Sequence, residues 1–293
     1  MIGTLYIVAT PIGNLDDITF RAIETLKNAD VILAEDTRHS KRLLNHYDIK
    51  TDLRAFHEHN ETQKSQLVIN ELLEGKNMAL ISDAGTPLIS DPGYVLVREA
   101  KKAGVMVSPI PGASAMISAM SVAGIASDQF GFFGFLPNKQ IARIKAIQAI
   151  AHIDQTAIFY ESPKRILACA RDLQSVLGSE RVVCFAKELT KSFETIKTDT
   201  LPNLINYLEA DQAHQKGEFV VLISSIDKNN KVIGEEQLDK ILPILLVEMG
   251  ASKAAKLAAK ITGIDKKHCY QRAILTSSLS SSAVLDSKKD SIS

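Results

Sequence analysis

Short apolar runs and amphipathic stretches alternate over the first third of the chain. Continuous or alternating apolar residues predict strands over 5–9, 31–34, 78–82 and 105–108. Apolar residues at helical spacing predict helices between them, over 17–29, 61–74 and 91–103. Because parallel strands in one sheet are joined by right-handed helical crossovers, this alternation predicts an α/β domain with a mainly parallel sheet over 1–112.

The pattern becomes less regular after residue 112. Strands are predicted over 129–135, 156–160, 181–186, 193–198 and 218–224. The helical stretches between them vary in length, which favours a mixed sheet. The sequence therefore predicts a second α/β domain over 113–225.

The last part of the chain has a different character. Residues 225–237, SIDKNNKVIGEEQ, are polar and turn-rich, which predicts a linker. Three short helices are predicted over 238–249, 252–261 and 266–274, within a small helical domain over 236–275. The last seventeen residues contain eight serines and no apolar pattern, so a disordered tail is predicted over 276–293.

Composition narrows the class of protein. Of the 293 residues, 45% are hydrophobic and 23% are charged, which is ordinary for a soluble globular protein. The 34 Lys and Arg residues balance the 34 Asp and Glu residues, which excludes a protein that is basic throughout. Any contact with nucleic acid must therefore come from local basic patches.

Cysteine and histidine usage argues against a metal site. Cys169, Cys184 and Cys269 are far apart and form no Cys-x-x-Cys pair, so neither disulfides nor zinc are predicted. The HEH segment at 57–59 lacks the helical spacing of a zinc motif. A basic leader and an apolar run of membrane-spanning length are both missing, which predicts a cytoplasmic protein with no membrane contact.

Four polar loops follow predicted strands. They are TPIGN at 10–14, EDTRH at 35–39, the two consecutive turns SDAGTPLISDPGY at 82–94, and the Pro- and Gly-containing segment at 109–114. Ligands of open α/β sheets bind outside the carboxyl ends of the strands, where these loops lie. Gly13, Gly85 and Gly112 allow the backbone to approach a ligand closely. The sequence contains neither G-x-G-x-x-G after the first strand nor a P-loop, so a common nucleotide site is not indicated.

Six motifs occur in order and carry a family resemblance. They are TPIGNL at 10–15, EDTR at 35–38, the stretch 82–94, GFLP at 134–137, FYESP at 159–163 and ELTK at 188–191. Together they resemble the ribosomal RNA small subunit methyltransferase I family of the tetrapyrrole-methylase-like superfamily. The resemblance implies two α/β domains with S-adenosylmethionine in the cleft between them, and a homodimer. It also implies 2′-O-methylation of a cytidine ribose in the decoding region of 16S rRNA, free or within the small ribosomal subunit.

The resemblance also implies which residues contact the cofactor. The loop that follows the third predicted strand would wrap its methionine end, and residues from the second domain would surround its adenosine. The implied set is Pro11, Asp83, Ala84, Gly85, Thr86, Ser114, Ala115, Tyr160, Glu188, Gly217 and Glu218. The second turn of the double loop, at 91–93, would shape the same loop and begin the next helix.

A ribose hydroxyl is a weak nucleophile, so a general base or a cation near the cleft is expected. Candidates are Glu35, Asp36, Glu161 and Lys187. A structural hydrogen bond or a helix cap explains each acid equally well, and the sequence does not single out one base.

Basic residues recur at the edges of the motifs. They are Arg38, Lys41, Arg42, Lys164, Arg165 and Lys191. Their repeated position beside the expected cleft predicts a rim that faces RNA, with Arg38 and Lys191 as phosphate clamps. A solvated helical face explains any one of them alone.

The C-terminal helices carry a second basic group. Residues 253–272 contain six basic side chains and one acid, and Lys253, Lys256 and Lys260 fall on one helical face. This predicts a phosphate-binding appendage, and the alternative is the solvated surface of a dimerisation module. The apolar spacing of Ala254, Leu257, Ala258 and Ile261 predicts that these four share the buried face.

Two other functions are consistent with parts of the sequence. One is a small-molecule methylase that acts on a tetrapyrrole, although those relatives have a G-x-G-P-G-D first loop where this chain has TPIGN. The other is a non-catalytic RNA-binding assembly factor. Turnover of the cofactor on small-subunit RNA would separate these two from an RNA methyltransferase.

Overall fold

A computed structural model describes residues 1–225 and 232–276 of the chain. Residues 1–225 form one compact unit that contains two β-sheets, and the C-terminal helices belong to a second unit. The predicted division of the first unit at residue 112 falls between the two sheets and stays a prediction.

The first sheet is parallel throughout, as its alternating pattern predicted. Its strands are β1 (Thr4–Val8), β2 (Val31–Ala34), β3 (Asp52–Ala55), β4 (Met78–Ile81) and β5 (Met106–Ile110), in the order β3-β2-β4-β1-β5. Its helices are α1 (Phe20–Asn28), α2 (Thr37–His46), α3 (Glu58–Leu73) and α4 (Tyr94–Lys102). Successive strand residues face opposite layers: Met78 and Leu80 pack in the cluster of α3 and α4, and Ala79 and Ile81 in that of α1 and α2.

Strand β3 was not predicted. Its sequence, DLRA, contains no apolar run, and its first residue is exposed while the other three are half-buried. It forms the edge of the sheet, where charged side chains are compatible with pairing on one side only. Hydrophobic patterning alone does not detect such a strand.

The second sheet is mixed, as predicted. Its strands are β6 (Phe130–Phe135), β7 (Thr156–Glu161), β8 (Val182–Lys187), β9 (Thr195–Thr200) and β10 (Phe219–Ile223), in the order β6-β7-β10-β8-β9. Its helices are α5 (Ala115–Val122), α6 (Gln140–Ala151), α7 (Ile166–Leu177) and α8 (Leu201–Ala210). Strands β6 and β7 are parallel, and the other three pairs are antiparallel. Ile12, from the loop after β1, packs with α5 on one face of this sheet, so a first-sheet loop joins the second core.

The C-terminal unit consists of three helices in its described part: α9 (Val232–Glu248), α10 (Ala251–Thr262) and α11 over 266–276. The predicted linker over 225–237 is wrong from residue 232 onward, where α9 has already begun. The last three residues of the predicted linker, Glu235, Glu236 and Gln237, are good helix formers, which a prediction from turn residues does not take into account. Residues 226–231 of that linker lie outside the described residues, as does the predicted disordered tail after residue 276.

The predicted buried face of α10 is also partly wrong. Ala254 and Ala258 are buried, but Leu257 and Ile261 are 38% and 52% exposed, and Ala255 is buried instead. Three small side chains let α10 approach its neighbours closely, so the buried stripe follows the alanines and not the larger residues. Within the described residues, no helix combines the length and apolar character needed to cross a membrane.

Candidate active site

A cleft of about 490 Å³ lies between the loops that follow the first-sheet strands and one face of the second sheet. Its volume falls in the range of small-molecule sites, roughly 300–1,000 Å³. The first-sheet side and α5 contribute Ile12, Glu35, Asp83, Ala84, Gly85, Thr86, Ile89, Ser90, Asp91, Ser114 and Ala115. The second-sheet side contributes Phe135, Tyr160, Glu161, Ser162, Pro163, Ala186, Leu189, Lys191, Glu218, Phe219 and Val220.

The double turn after β4 adopts an unusual backbone. Gly85, Leu88, Ser90 and Gly93 all have positive φ, at +81°, +74°, +71° and +127°. Glycine adopts this region at no steric cost, but each non-glycine residue there is strained by about 1–3 kcal/mol. These four positions redirect the chain in both turns, and residues 83–86 of the first and 89–91 of the second line the cleft.

Neighbouring loops hold the double turn in place. Thr10 and Gly85 exchange two backbone hydrogen bonds, of 2.9 and 3.0 Å. The Thr86 hydroxyl donates to the Ala113 carbonyl at 3.1 Å, and the Asp83 carboxylate accepts from the backbone N–H of Asp36 at 3.1 Å. The four loops that the sequence analysis placed at one edge therefore meet.

Glu61 fastens the far end of the double turn, and sequence reasoning missed it. Its Oε1 accepts from the backbone N–H groups of Gly93, Val95 and Leu96 at 3.1, 2.8 and 3.3 Å. Gly93 caps α4 but has no side chain to accept those N–H groups, so a buried acid from α3 does so instead. Since Glu61 and α4 are about thirty residues apart, no local signal could have found it.

On the second-sheet side, Lys191 joins two carboxylates. Its Nζ donates to Glu188 Oε1 and Glu218 Oε2, each at 2.8 Å. Burial opposes ionisation of Glu188, but the hydrogen bonds from Lys191 and from the Glu218 N–H outweigh it, so the pKa of Glu188 is lowered. For Lys191, burial is likewise outweighed by its two carboxylate partners, and its pKa is raised.

Gly217 is required by this charged cluster. A Cβ built at Gly217 would lie 2.3 Å from Glu188 Cγ, and Gly217 itself has φ +89°. Similarly, a Cβ at Gly13 would lie 2.4 Å from Lys191 Cγ, so the loop after β1 also packs on the cluster. Gly217 thus contributes to the site through Glu188 and does not line the cleft.

Eight of the eleven predicted cofactor contacts line the cleft. They are Asp83, Ala84, Gly85, Thr86, Ser114, Ala115, Tyr160 and Glu218. Pro11, Glu188 and Gly217 are not among the lining residues. The lining residues that the sequence analysis did not assign are mostly apolar, such as Ile12, Ala186 and Val220, because strand patterning does not show which face meets a cleft.

The four predicted catalytic candidates differ in whether they line the cleft. Glu35 and Glu161 line the cleft, whereas Asp36 and Lys187 do not. Asp36 caps α2, and a hydrogen bond from the Arg38 N–H at 2.8 Å lowers its pKa. Lys187 donates to the Ala213 carbonyl at 2.9 Å. Successive residues of β8 face opposite layers, and since Ala186 lines the cleft, Lys187 points away from it.

Glu161 is committed to a structural role. Its side chain has no exposed surface, Oε1 accepts from the Ser162 N–H at 2.7 Å, and Oε2 accepts from Arg165 Nη2 at 3.1 Å. Arg165 was predicted to face RNA, but it also donates to the Leu136 carbonyl at 2.6 Å. Its guanidinium therefore ties two second-sheet segments together.

The remaining predicted RNA contacts lie as follows. Arg38, Lys41, Arg42 and Lys164 are exposed and stand outside the cleft lining. Lys191 lines the cleft and is paired, as described above. No cluster of side chains suited to a metal ion is found among the described residues.

Asp91 is an acid of the cleft that the sequence analysis assigned only to loop shape. It follows the strained Ser90 in the second turn. Burial raises its pKa, a hydrogen bond with Ser82 opposes this, and the charge of Asp83 adds to it. A carboxyl group with a raised pKa therefore faces the cleft.

The cleft fits S-adenosylmethionine. The positive φ of Gly85 keeps a side chain away from the point where the loop meets Ile12, whose Cγ2 lies 3.3 Å from a Cβ built there. Asp83 and the backbone around it suit a positively charged sulfur, and Ile12, Leu189 and Val220 provide an apolar surface for an adenine.

Comparison with known proteins defines the class. Residues 4–205 match the tetrapyrrole (corrin/porphyrin) methylases, and residues 233–276 match the RsmI C-terminal HTH domain. A crystal structure of diphthine synthase has the same fold at 16% identity, with a TM-score of 0.57 over 76% of this chain and 90% of that one. The fold and the cleft thus define an S-adenosylmethionine-dependent methyltransferase of the tetrapyrrole methylase class, as the resemblance implied.

Two curated relatives give the particular family. Ribosomal RNA small subunit methyltransferase I of Haemophilus influenzae is 50% identical over 92% of this chain and 95% of its own length. The protein of the same name from Pseudomonas aeruginosa is 48% identical over 93% of this chain and 97% of its own. The chain belongs to the ribosomal RNA small subunit methyltransferase I family.

Proposed function

We propose that this protein methylates the ribose 2′-oxygen of a cytidine in the decoding region of 16S rRNA, in the cytoplasm. The observation that carries the proposal is the identity of about half, over nearly full length, with relatives named ribosomal RNA small subunit methyltransferase I. The choice of cytidine and of the 2′-oxygen rests on the family resemblance of the six motifs.

The chain's own task is alignment. When bound, S-adenosylmethionine supplies a methyl group on a positive sulfur, which an oxygen nucleophile can accept directly. The double turn at 82–93 would hold the cofactor on the first-sheet side, through Asp83 and the backbone near Gly85 and Thr86. Tyr160, whose pKa is raised by burial, and Glu218 would hold it on the other side.

We propose Asp91 as the group that takes the hydroxyl proton. Of the acids in the cleft, Glu161 and Glu218 are ion-paired, Asp83 accepts a backbone N–H, and Asp91 is hydrogen-bonded with the Ser82 side chain. Burial raises the pKa of Asp91, and a raised pKa makes its carboxylate a stronger base. The ribose oxygen would take the methyl group that the bound cofactor supplies, the sulfur would keep the bonding electron pair, and the hydroxyl proton would pass to Asp91. Glu35 is a second acid that lines the cleft, and its replacement serves as the comparison for replacement of Asp91.

If Asp91 takes the proton, replacing it should slow methylation without weakening cofactor binding. Asp91→Asn should lower kcat by on the order of 100-fold and leave the Kd for the cofactor within about threefold. Glu35→Gln should have the smaller effect on kcat. Calorimetry gives Kd and single-turnover methylation gives the rate; a variant Asp91→Asn that turns over normally would exclude this role.

Exposed cations outside the cleft are proposed to orient the RNA. The Arg38 side chain is 92% exposed, and Lys41 and Arg42 follow it on the same helix. Such contacts act on phosphates and give position without sequence readout. Lys191 is instead paired with two carboxylates, so we propose that it braces the cleft.

The C-terminal helices offer a second set of cations. Lys253, Lys256 and Lys260 are exposed, whereas Arg272 forms a two-point ion pair with Asp239 at 2.7 and 2.8 Å. Replacing the three lysines by alanine should weaken RNA binding and flatten its dependence on salt, because fewer counterions are released. Replacing Lys101 and Lys102, at the end of α4, is the control. If the RNA affinity of the triple variant depends on salt concentration as steeply as that of the wild type, the helices are better explained as a dimerisation module.

A homodimer is proposed on the family resemblance. Exposed apolar side chains support it: Met106 lies on the edge strand β5, and Ile117 and Val122 lie on α5. A second copy would cover surface of this kind. Sedimentation equilibrium of the purified protein tests it, and a monomer at micromolar concentration would contradict it.

Labelled S-adenosylmethionine tests the proposed reaction itself. The purified protein is incubated with small ribosomal subunits that lack the modification, with free 16S rRNA, and with a tetrapyrrole substrate. Label in 2′-O-methylcytidine after nucleoside analysis is the expected result. Label on a base, label in the tetrapyrrole, or no turnover on either RNA would overturn the proposal.

A further inference from the structure

Phe135 is a large aromatic side chain that lines the cleft and is nevertheless 56% exposed. Several other apolar residues of the cleft, such as Ile12 and Val220, are buried. Phe135 therefore stands at the mouth of the cleft, with one part of its ring toward the interior and the rest toward solvent.

A local irregularity of β6 places the ring there. Phe132 pairs with Ile158 of β7, but the next pair joins Phe135 to Tyr160, so three steps on β6 match two on β7. The extra residue is accommodated at Gly134, which has φ +61°. A bulge of this kind turns a side chain away from the regular alternation, and bulges are frequent beside active sites.

The Phe135 ring and the segment that follows it are fixed by contacts with Tyr160 and Arg165. The ring centroid lies 5.6 Å from that of Tyr160, at an angle of 66°, in an edge-to-face contact. The segment that follows is clamped by Arg165, which donates to the carbonyls of Leu136 and Pro137 at 2.6 and 3.3 Å and to the side chain of Asn138. A surface that is already ordered binds a ligand at little cost in conformational entropy.

The ring also stands near the second turn of the double loop. A Cβ built at Gly134 would lie 3.6 Å from Ser90 Oγ, and Ser90 precedes Asp91. The mouth of the cleft therefore brings together an exposed aromatic face and the acid proposed to take the hydroxyl proton. The nucleotide that is methylated has to reach Asp91 through this opening.

We propose that Phe135 is the stacking platform for the base of the methylated nucleotide, swung out of the RNA into the cleft mouth. This inference rests on the proposed RNA methylation. Enzymes that do chemistry on a base turn its nucleotide out of the stack, and proteins that bind unpaired RNA stack the splayed bases on aromatic side chains. The edge-to-face contact with Tyr160 and the exposure of more than half the residue leave ring surface available to a base.

Substitutions at Phe135 separate stacking from simple packing. Phe135→Ala should lower kcat/KM for the RNA substrate by about 10- to 100-fold, the range expected for loss of one stacked base. Phe135→Leu keeps an apolar side chain of similar length and should be as poor as Phe135→Ala. Phe135→Tyr should retain most activity. All three should keep the Kd for S-adenosylmethionine.

A tryptophan at this position reports the contact directly. The chain contains no Trp, so Phe135→Trp introduces a single indole at the cleft mouth. Phe20, on α1, is 90% exposed and outside the cleft lining, so Phe20→Trp is the matched control. S-adenosylmethionine is added first, and then whichever RNA substrate the wild type methylates. Fluorescence from the substrate's own proteins is common to both variants and is removed by subtraction.

Quenching of the Phe135→Trp signal by RNA, and not by the cofactor alone, is the expected result. Quenching by the cofactor alone, with loss of cofactor affinity in Phe135→Ala, would assign the ring to the cofactor and overturn the inference. Normal methylation by Phe135→Leu would overturn it as well. If the wild-type protein methylates neither RNA, the proposed function fails, and free 16S rRNA is then used for the titration. Quenching of Phe135→Trp by that RNA would still support Phe135 as an RNA contact. The absence of quenching would reject the inference as well as the proposed function.

Discussion

The two walls of the cleft are built by different means. On the first-sheet side the double turn depends on backbone conformation, with Gly85, Leu88, Ser90 and Gly93 all at positive φ. On the second-sheet side strand β7 presents Tyr160, and the turn after β8, where Glu188 and Thr190 also have positive φ, presents Lys191. Lys191 is ion-paired with Glu188 and Glu218, and the glycine at 217 leaves room for the Glu188 side chain. The first wall therefore depends mainly on the backbone conformation of the double turn, and the second mainly on the ion pairs of Lys191.

The double turn is restrained at both of its ends. Hydrogen bonds from Thr10 reach Gly85, and Glu61 accepts three N–H groups where the loop enters α4. Strained residues persist only where surrounding structure enforces them. The comparison between the walls thus predicts that damage to this loop has the larger effect on cofactor binding.

Gly85→Val should have the largest effect. A β-branched residue is poorly compatible with φ +81°, and its side chain would meet Ile12. The Kd for S-adenosylmethionine should rise by at least about 100-fold, a loss of roughly 2.7 kcal/mol, measured by calorimetry.

The control for this change is Gly104→Val. Gly104 has a similar φ of +76°, but a Cβ there meets nothing within 4 Å. It should carry the strain and bind the cofactor normally. Equal binding by the two valine variants, both folded by circular dichroism, would contradict the assignment of the double turn to the cofactor.

Glu61→Ala should have the next largest effect, although Glu61 lies outside the cleft lining. It leaves the N–H groups of Gly93, Val95 and Leu96 without their acceptor. Unfolding free energy should fall by about 2 kcal/mol, and cofactor affinity by about tenfold as the loop loosens. Glu61→Gln keeps an acceptor and should lose about half as much stability. Urea unfolding and calorimetry measure both quantities; if Glu61→Ala kept full affinity, the restraint on the loop would be unnecessary for binding.

Gly217→Ala tests the second wall and should be milder. The new Cβ would lie 2.3 Å from Glu188 Cγ, so the glutamate side chain must leave Lys191. Cofactor affinity should fall by about three- to tenfold, or roughly 1 kcal/mol. The double variant with Glu188→Ala removes the clash, and a double-mutant cycle should show coupling of at least about 0.5 kcal/mol. Strict additivity would show that the two positions act separately.

The smallest expected effect concerns pH. The folded pKa of Glu188 is below its ordinary value of 4.5, so its ionised form stabilises the fold above that pH. This contribution is lost as the pH falls through the lowered pKa. Urea unfolding of wild type and Glu188→Gln should differ by less than about 1 kcal/mol at pH 7, and by less still at acid pH. A difference that grows on acidification would contradict the assigned direction.

Much of this architecture follows from local pattern. All ten strands except β3 were predicted, because apolar runs between turn residues are visible in a single sequence. The meeting of four loops at one edge was also predicted, since parallel strands end together. The part that escaped prediction depends on contacts between distant residues: Glu61 with α4, Lys191 with Gly13, and Arg165 with the segment after Phe135.

The sequence by itself determined the fold class, the two sheets, and the motifs that place the chain in its family. Those properties depend on hydrophobic periodicity and on turn residues, which act over a few neighbouring positions. Only the tertiary structure decided which acidic side chains of the cleft are already held by hydrogen bonds or ion pairs. It also decided which basic side chain is paired with carboxylates and which aromatic ring faces solvent. Asp36 caps a helix, Glu161 is buried against an arginine, and Phe135 is turned outward by a one-residue bulge. Burial, charge pairing and strand register arise only when distant segments pack, so a single sequence shows the residue types present but not their state.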